Sequence, residues 1–243
     1  MNPTLTIARR EFKSYFDSPL AYVVICLSLL MLGVAVFIWP GKFWQVDRAT
    51  LSSMFEAIPT GLVLLVVPVV TMRLVAEEKR TGTLEMLITL PVRDSDVIIG
   101  KFLGAFGLVV VLVLSTALYP LLMFKFWHLG ALDIGPVFSG YFGLILFSAA
   151  AVALGLFISS VTESQVIAFF ITFIALALLY FVGELAEHVP NVLGTVFRTL
   201  SFREHYSQFE RGLIDMRDVL FFLSSAALAL VLAFRALESR KWT

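Results

Sequence analysis

Apolar residues gather into six long runs: Leu20 to Trp39, Leu51 to Met72, Val97 to Met123, Val137 to Ser160, Val166 to Val182 and Val219 to Phe234. A helix crosses the hydrocarbon of a bilayer with about 20 apolar residues. The pattern therefore predicts an all-α polytopic membrane protein with six transmembrane helices. The third run is long enough to tilt or project, and the last two extend into their flanks. Leu20 to Trp39 follows a charged leader, is longer than a signal-peptide core and has no small-x-small site after Trp39, so it reads as a retained helix. In the leader, Leu5, Ala8, Phe12 and Phe16 recur at helical spacing, with Arg9, Arg10 and Lys13 off that stripe. Residues 1–19 thus read as an interfacial helix, broken at Asp17-Ser18-Pro19.

Two polar segments interrupt the apolar runs. The first, Glu77 to Lys101, separates the second and third spans, and residues 73–96 are read as the cytosolic segment between them. Gly82 to Leu90 reads as a short amphipathic helix stopped by Pro91, with Leu84, Leu87 and Ile88 as its apolar stripe. Two uses fit such a stripe: docking a soluble partner, or packing on the protein's own bundle or on lipid. A solvated loop with no further role is the plain alternative. The second segment, residues 184–218, is too apolar for a solvated linker. Phe202, Tyr206 and Phe209 share one helix face there, and Gly212 is placed to end that helix. Thr162-Glu163-Ser164-Gln165 makes a tight hairpin of the fourth and fifth spans. Gly100/Gly104 and Ala151/Gly155 are small-xxx-small pairs, read as close helix packing.

Composition sharpens the class: 59% of residues are hydrophobic and 15% charged, against about 45–50% and 25% in soluble domains. Zero net charge without a basic stripe excludes nucleic acid as a partner. Cys26 is alone, and His128, His188 and His205 lack metal-ligand spacing. Eleven Lys and Arg residues fall on the side holding both termini and the first polar segment, against seven on the other. The positive-inside rule makes that side cytosolic, with residues 184–218 outside. The string ending in Gly100-Lys101 has Ser95 and Phe102 where a phosphate loop needs Gly and Ser or Thr, and no hydrolase motif is present. Glu56 is the one acid inside a run. Any driving force must come from another polypeptide.

Glu77-Glu78-Lys79-Arg80-Thr81-Gly82-Thr83-Leu84-Glu85-Met86-Leu87, then Thr89-Leu90-Pro91-Val92, then Gly100-Lys101-Phe102, resembles the signature of type 2 ABC exporter permeases. It is most similar to the branch holding the gliding-motility and copper-enzyme-maturation permeases. Phe209 to Val219 and Leu237 to Trp242 resemble the same branch, and the likeness covers nearly the whole chain. It implies one permease domain over residues 1–243, paired with a second permease copy or a related one in a bacterial inner membrane, both termini cytosolic. It also implies a separate ATP-binding cassette subunit carrying ATP and magnesium, with no cofactor in this chain. The segment matching Gly82 to Leu90 would be the coupling helix, with Leu84 and Leu87 central and Glu77, Glu78 and Arg80 at the rim. Thr83, Glu85, Ile88, Pro91, Gly100 and Lys101 complete the coupling set. The alternative from another class is a structural anchor that holds a larger envelope or motility machine without cargo of its own.

Overall fold

The computed structural model describes residues 2–35, 52–82, 93–121, 134–186 and 192–238, and every regular element among them is helical. Helix α1 (Pro3–Asp17) meets α2 (Pro19–Gly33) at a bend of 70°. The bend falls where Pro19 disfavours helical dihedrals at Ser18, whose φ of −103° and ψ of 152° are extended. The second span is one line of helix from Met54 to Thr81: α3 (Ser52–Gly61), a π-helical turn (Leu62–Val66), α4 (Val67–Thr71) and α5 (Ala76–Thr81). Then come α6 (Asp94–Ser115), α7 (Ile134–Val161) and α8 (Gln165–Leu185), the short α9 (Val192–Leu200) and α10 (Phe202–Glu210), and α11 (Met216–Glu238). Among the described residues five helices are long and apolar enough to cross a membrane, and counting the bent α1–α2 pair makes six.

Helix α7 is the hub, and glycines on its surface let the others approach. A Cβ at Gly140 would meet the Phe55 ring at 2.7 Å, one at Gly143 would meet Phe209 at 2.6 Å, and one at Gly155 would meet Thr71 Oγ1 at 2.3 Å. Close approach of helix backbones is what small residues provide in lipid, where tails are as apolar as leucine. Between these contacts Phe147 stands among four rings, Tyr180, Phe202, Tyr206 and Phe222, with centroids 5.6–6.2 Å away. Rings at this separation and tilt attract beyond their area burial.

The N-terminal helix turns a second, mostly polar and small-residue face to the bundle. Helix α1 packs along the first half of α6 through Thr4, Ile7, Ala8, Glu11 and Phe12, while Leu5 is 66% exposed. The cause lies on α6. Gly100 and Gly104 form a trough in which added Cβ atoms would meet Ile7 at 2.7 Å and Glu11 Cβ at 2.6 Å. Thr4 donates to Asp96 at 2.7 Å and the Tyr15 hydroxyl to the Val70 carbonyl at 3.0 Å. Polar pairs and a glycine trough thus fix the face that α1 turns to the bundle.

The trough is testable in the full chain. Gly104→Ala is expected to cost about 1–3 kcal/mol, the usual penalty of overpacking, and to raise amide exchange across residues 3–17. Gly61→Ala, where an added Cβ meets nothing within 4 Å, is expected to leave the melting temperature in detergent unchanged. Equal effects of the two changes would remove the trough from the account.

A buried lysine clamp and a carboxylate cluster at opposite ends of the bundle

The charged string at Glu77–Arg80 is helical. The second span breaks at residues 72–75 and resumes as α5, because Ser159 of α7 supplies what the break lacks. Ser159 Oγ accepts from the amides of Val75 at 3.1 Å and Ala76 at 3.2 Å. It thus acts as an N-cap from another helix, satisfying donors that the start of a helix leaves open. Lys79 Nζ donates to the Ser160 carbonyl in the last turn of α7, where a cation is favoured by the helix dipole. Gly82 closes α5 at a φ of 71°, a left-handed conformation that suits glycine.

The centre of this end is Lys101, in the first half of α6. Its ammonium is buried and donates to Glu78 of α5 at 2.7 Å and to Glu11 of α1 at 3.0 Å. Both carboxylates are mostly covered, with side-chain exposures of 17% and 15%. One cation therefore joins three helices. Removing one member of a buried pair leaves an uncompensated charge, which costs about 3–5 kcal/mol. Beside the clamp lies a polar cleft of about 410 Å³ lined by Arg10, Ser14, Arg73, Glu77 and Thr81. Glu77 faces Arg73 at 3.7 Å.

Of the residues singled out by sequence, Glu77, Glu78, Gly100 and Lys101 are brought together around α1, and Glu78 turns inward to Lys101. Arg80 and Gly82 stay at the surface. Thr83, Leu84, Glu85, Leu87, Ile88 and Pro91 lie outside the described residues. Glu11 and Ser159 were not singled out. The signal for Glu11 was an acid among Arg9, Arg10 and Lys13, and Ser159 carried none.

At the other end, α10 sinks its aromatic face into the bundle: Phe202, Tyr206 and Phe209 are all buried. Ser201 caps the helix, accepting from the Glu204 amide at 3.4 Å, and Ser139 donates to the Phe209 carbonyl at 2.7 Å. Gly212 ends it at a φ of 87°. The Leu213 amide bonds to the Gln208 carbonyl at 3.1 Å and the Gly212 amide to the Phe209 carbonyl at 3.2 Å, the paired bonds of a Schellman closure.

His205, unassigned by sequence, ties α9, α10 and α11. Its Nε2 donates to the Thr199 carbonyl at 3.0 Å, its Nδ1 lies 2.6 Å from Asp218 Oδ1, and its ring stacks on Phe221 at 3.8 Å. Nearby, Arg203 contacts Glu184, and Glu56 at 3.2 Å, and its guanidinium stands 5.9 Å from the centre of the Tyr180 ring. These pairs are half exposed and contribute little to stability. Glu210 is pushed up to about 7, first by burial and then by Glu56, with Arg203 and Arg211 opposing.

Two outcomes follow. Lys101→Met is expected to lower stability by several kcal/mol through its stranded carboxylates. The triple change Lys101→Met, Glu11→Gln, Glu78→Gln should recover much of that loss in a detergent melting assay. For Glu210, the folded state holds a proton that the unfolded chain releases across the window from the ordinary glutamate range up to about 7. Its stabilisation is complete below that window and is lost as pH climbs through it, so Glu210→Gln should flatten the pH dependence of the melting temperature there.

A comparison with curated proteins found no match. Residues 50–203 match the family model described as "ABC-2 family transporter protein". With most of its length in that match and an all-helical bundle of five to six candidate spans, the chain belongs to the ABC-2 transporters, multi-pass membrane permeases that lack an ATPase domain and work with ATP-binding cassette subunits.

Proposed function

We propose that this chain is the membrane half of an ATP-driven exporter, taking force from a separate ATP-binding cassette subunit through the segment at residues 83–92. The carrying observation is the mooring of α5, which leads into that segment. Ser159 and Lys79 fix it to α7, and Glu78 fixes it through Lys101 to α6 and α1. A force delivered to α5 therefore reaches α7, α6 and α1 through those contacts. A loop serving only solubility needs no such mooring.

In this reading the α5 end of the bundle is cytosolic, following the Lys and Arg asymmetry, and residues 184–218 face outward. The chain sits in a bacterial inner membrane beside a second permease copy or a related permease. ATP and magnesium bind the partner ATPase. The likeness to the gliding-motility and copper-enzyme-maturation permeases gives the finer placement. Leu84 and Leu87 form the centre of the docking surface. Arg80 remains at its rim, since Glu78 is engaged by Lys101.

Central apolar anchors hold affinity, whereas rim charges tune encounter. Leu87→Asp is expected to weaken capture of the ATPase by about a hundredfold or more, a buried unpaired charge costing several kcal/mol. Arg80→Ala should change it only a few-fold. The assay is co-purification in mild detergent with ATP turnover measured on the complex. Intact assembly and turnover in Leu87→Asp would reject the docking role. A stable complex whose turnover ignores the permease would favour the anchor reading. For orientation, in a Cys26→Ser background a cysteine at Arg203 should label from outside and one at Lys79 should not.

A further inference from the structure

Two cavities meet at Arg73, where the second span breaks. One is the polar cleft of about 410 Å³ beside the clamp. The other is an apolar groove of about 420 Å³ between α2 and the second span. Arg73 lines both. Leu65, Val69 and Arg73 recur every four residues and form one wall of the groove. Val23, Val24 and Leu27 of α2 form the facing wall, with Ser18 and Pro19 at the α1–α2 bend. The bond from the Tyr15 hydroxyl to the Val70 carbonyl holds that bend at the level of Arg73. Beyond Leu65 the groove leads to a further cavity of about 350 Å³ beside the π-helical turn.

The two compartments suit the two halves of an amphiphile. From Arg73 to Leu65 is about 12 Å of helix, close to the depth of one leaflet, half of about 30 Å of hydrocarbon. The groove can therefore take an alkyl chain. The cleft is lined by three cations, Arg10, Arg73 and Lys101, and by three acids, Glu11, Glu77 and Glu78. Neither sign is in excess, so the cleft suits a headgroup that carries both. Lys101 is committed to Glu11 and Glu78. Arg73 is held less firmly. Its ion pair with Glu77 is 3.7 Å long, against about 2.7–2.9 Å for a charge-assisted hydrogen bond. A guanidinium presents five N–H donors in a fork that matches phosphate. Glu77 is half-exposed and stands beside it, with carboxylate oxygens that accept from an ammonium. An anionic head would set a second negative charge against Glu77. A trimethylammonium head would have no N–H to give it.

We infer that these joined cavities bind one zwitterionic phospholipid with a primary-ammonium head. Its phosphate lies on Arg73, its ammonium at Glu77 and one alkyl chain in the groove between α2 and the second span. Binding there is independent of the coupling reading, since no lining residue of either cavity belongs to residues 83–92.

The test uses the full chain, delipidated in mild detergent without an ATPase, and follows the melting temperature as lipid is added. Dioleoylphosphatidylethanolamine should act at about a tenfold lower concentration than the phosphatidylcholine or phosphatidylglycerol with the same chains, a margin equal to one modest ion pair. Glycerophosphoethanolamine, the head without chains, should have no effect at those concentrations. Phosphatidylethanolamine with a diazirine on one acyl chain should label residues 18–27 and 65–73, mapped by mass spectrometry. Glu77→Gln should abolish the margin over phosphatidylcholine, and Arg73→Gln should weaken both lipids about tenfold. Val69→Trp, which fills the groove, should remove labelling. Lys13→Gln, exposed on α1 and lining neither cavity, should change nothing. Equal action by phosphatidylcholine would overturn the ammonium contact, and stronger action by phosphatidylglycerol would overturn the zwitterionic head. An equal effect of glycerophosphoethanolamine would replace the lipid with a soluble phosphate ester and overturn the groove. Labels spread evenly over the lipid-facing sides of α8 and α11 would also overturn it. The lipid series needs no variant, so it decides the matter even if Arg73→Gln fails to fold.

Discussion

The arrangement at one end of this bundle depends on the need to neutralise Lys101. An ammonium carried into a packed helix interface is tolerable only when carboxylates meet it there. Glu78 and Glu11 do so from two different helices. Because the partners come from separate elements, satisfying one charge fixes the mutual positions of α1, α5 and α6. The glycine trough on α6 is the steric half of the same arrangement. Without Gly100 and Gly104, α1 would stand too far off for Glu11 to reach. A hydrophobic contact alone would not fix the register, since apolar faces slide at little cost. A buried cation with two acceptors has one geometry, the specifying role best attested for buried polar groups.

The second span shows how a break in a helix becomes useful. Its backbone is interrupted twice, at the π-helical turn and at residues 72–75. In lipid such breaks leave polar groups that nothing outside the protein can satisfy. The lower break is answered by Ser159, whose hydroxyl takes two amides at once. The approach that makes this possible comes from Gly155, one turn earlier on α7, where a side chain would collide with Thr71. Gly155 and Ser159 thus act as a pair, the first setting the distance and the second completing the hydrogen bonds.

The spans were legible because their signal is a long-range average: about 20 apolar residues suffice whatever their order. The aromatic face of α10 was legible for a related reason, since Phe202, Tyr206 and Phe209 keep helical spacing over a short stretch. The inner face of α1 was not. The hydrophobic stripe marked a face toward the headgroups, but nothing in the sequence showed that a glycine trough beside a lysine would take Thr4, Ile7 and Glu11. Lys101 was noticed as the end of a motif, but its burial depends on Glu11, 90 positions away. His205 and Asp218 looked unrelated for the same reason, because the loop and turn that join them carry no periodicity to count.

The second span also connects the two polar centres. Near one end Glu56 joins the Arg203 cluster, and near the other Glu78 joins Lys101. The π-helical turn lies between them and lines the cavity beside α2. Both carboxylates fall within the stretch matched by the family model, as do Lys101 and Arg203, whereas Glu11 does not. Two members of the clamp thus lie inside the matched stretch, and the third, on the N-terminal helix, lies outside it. The π-helical turn midway departs from regular α-helical hydrogen bonding, as bending points in helices do.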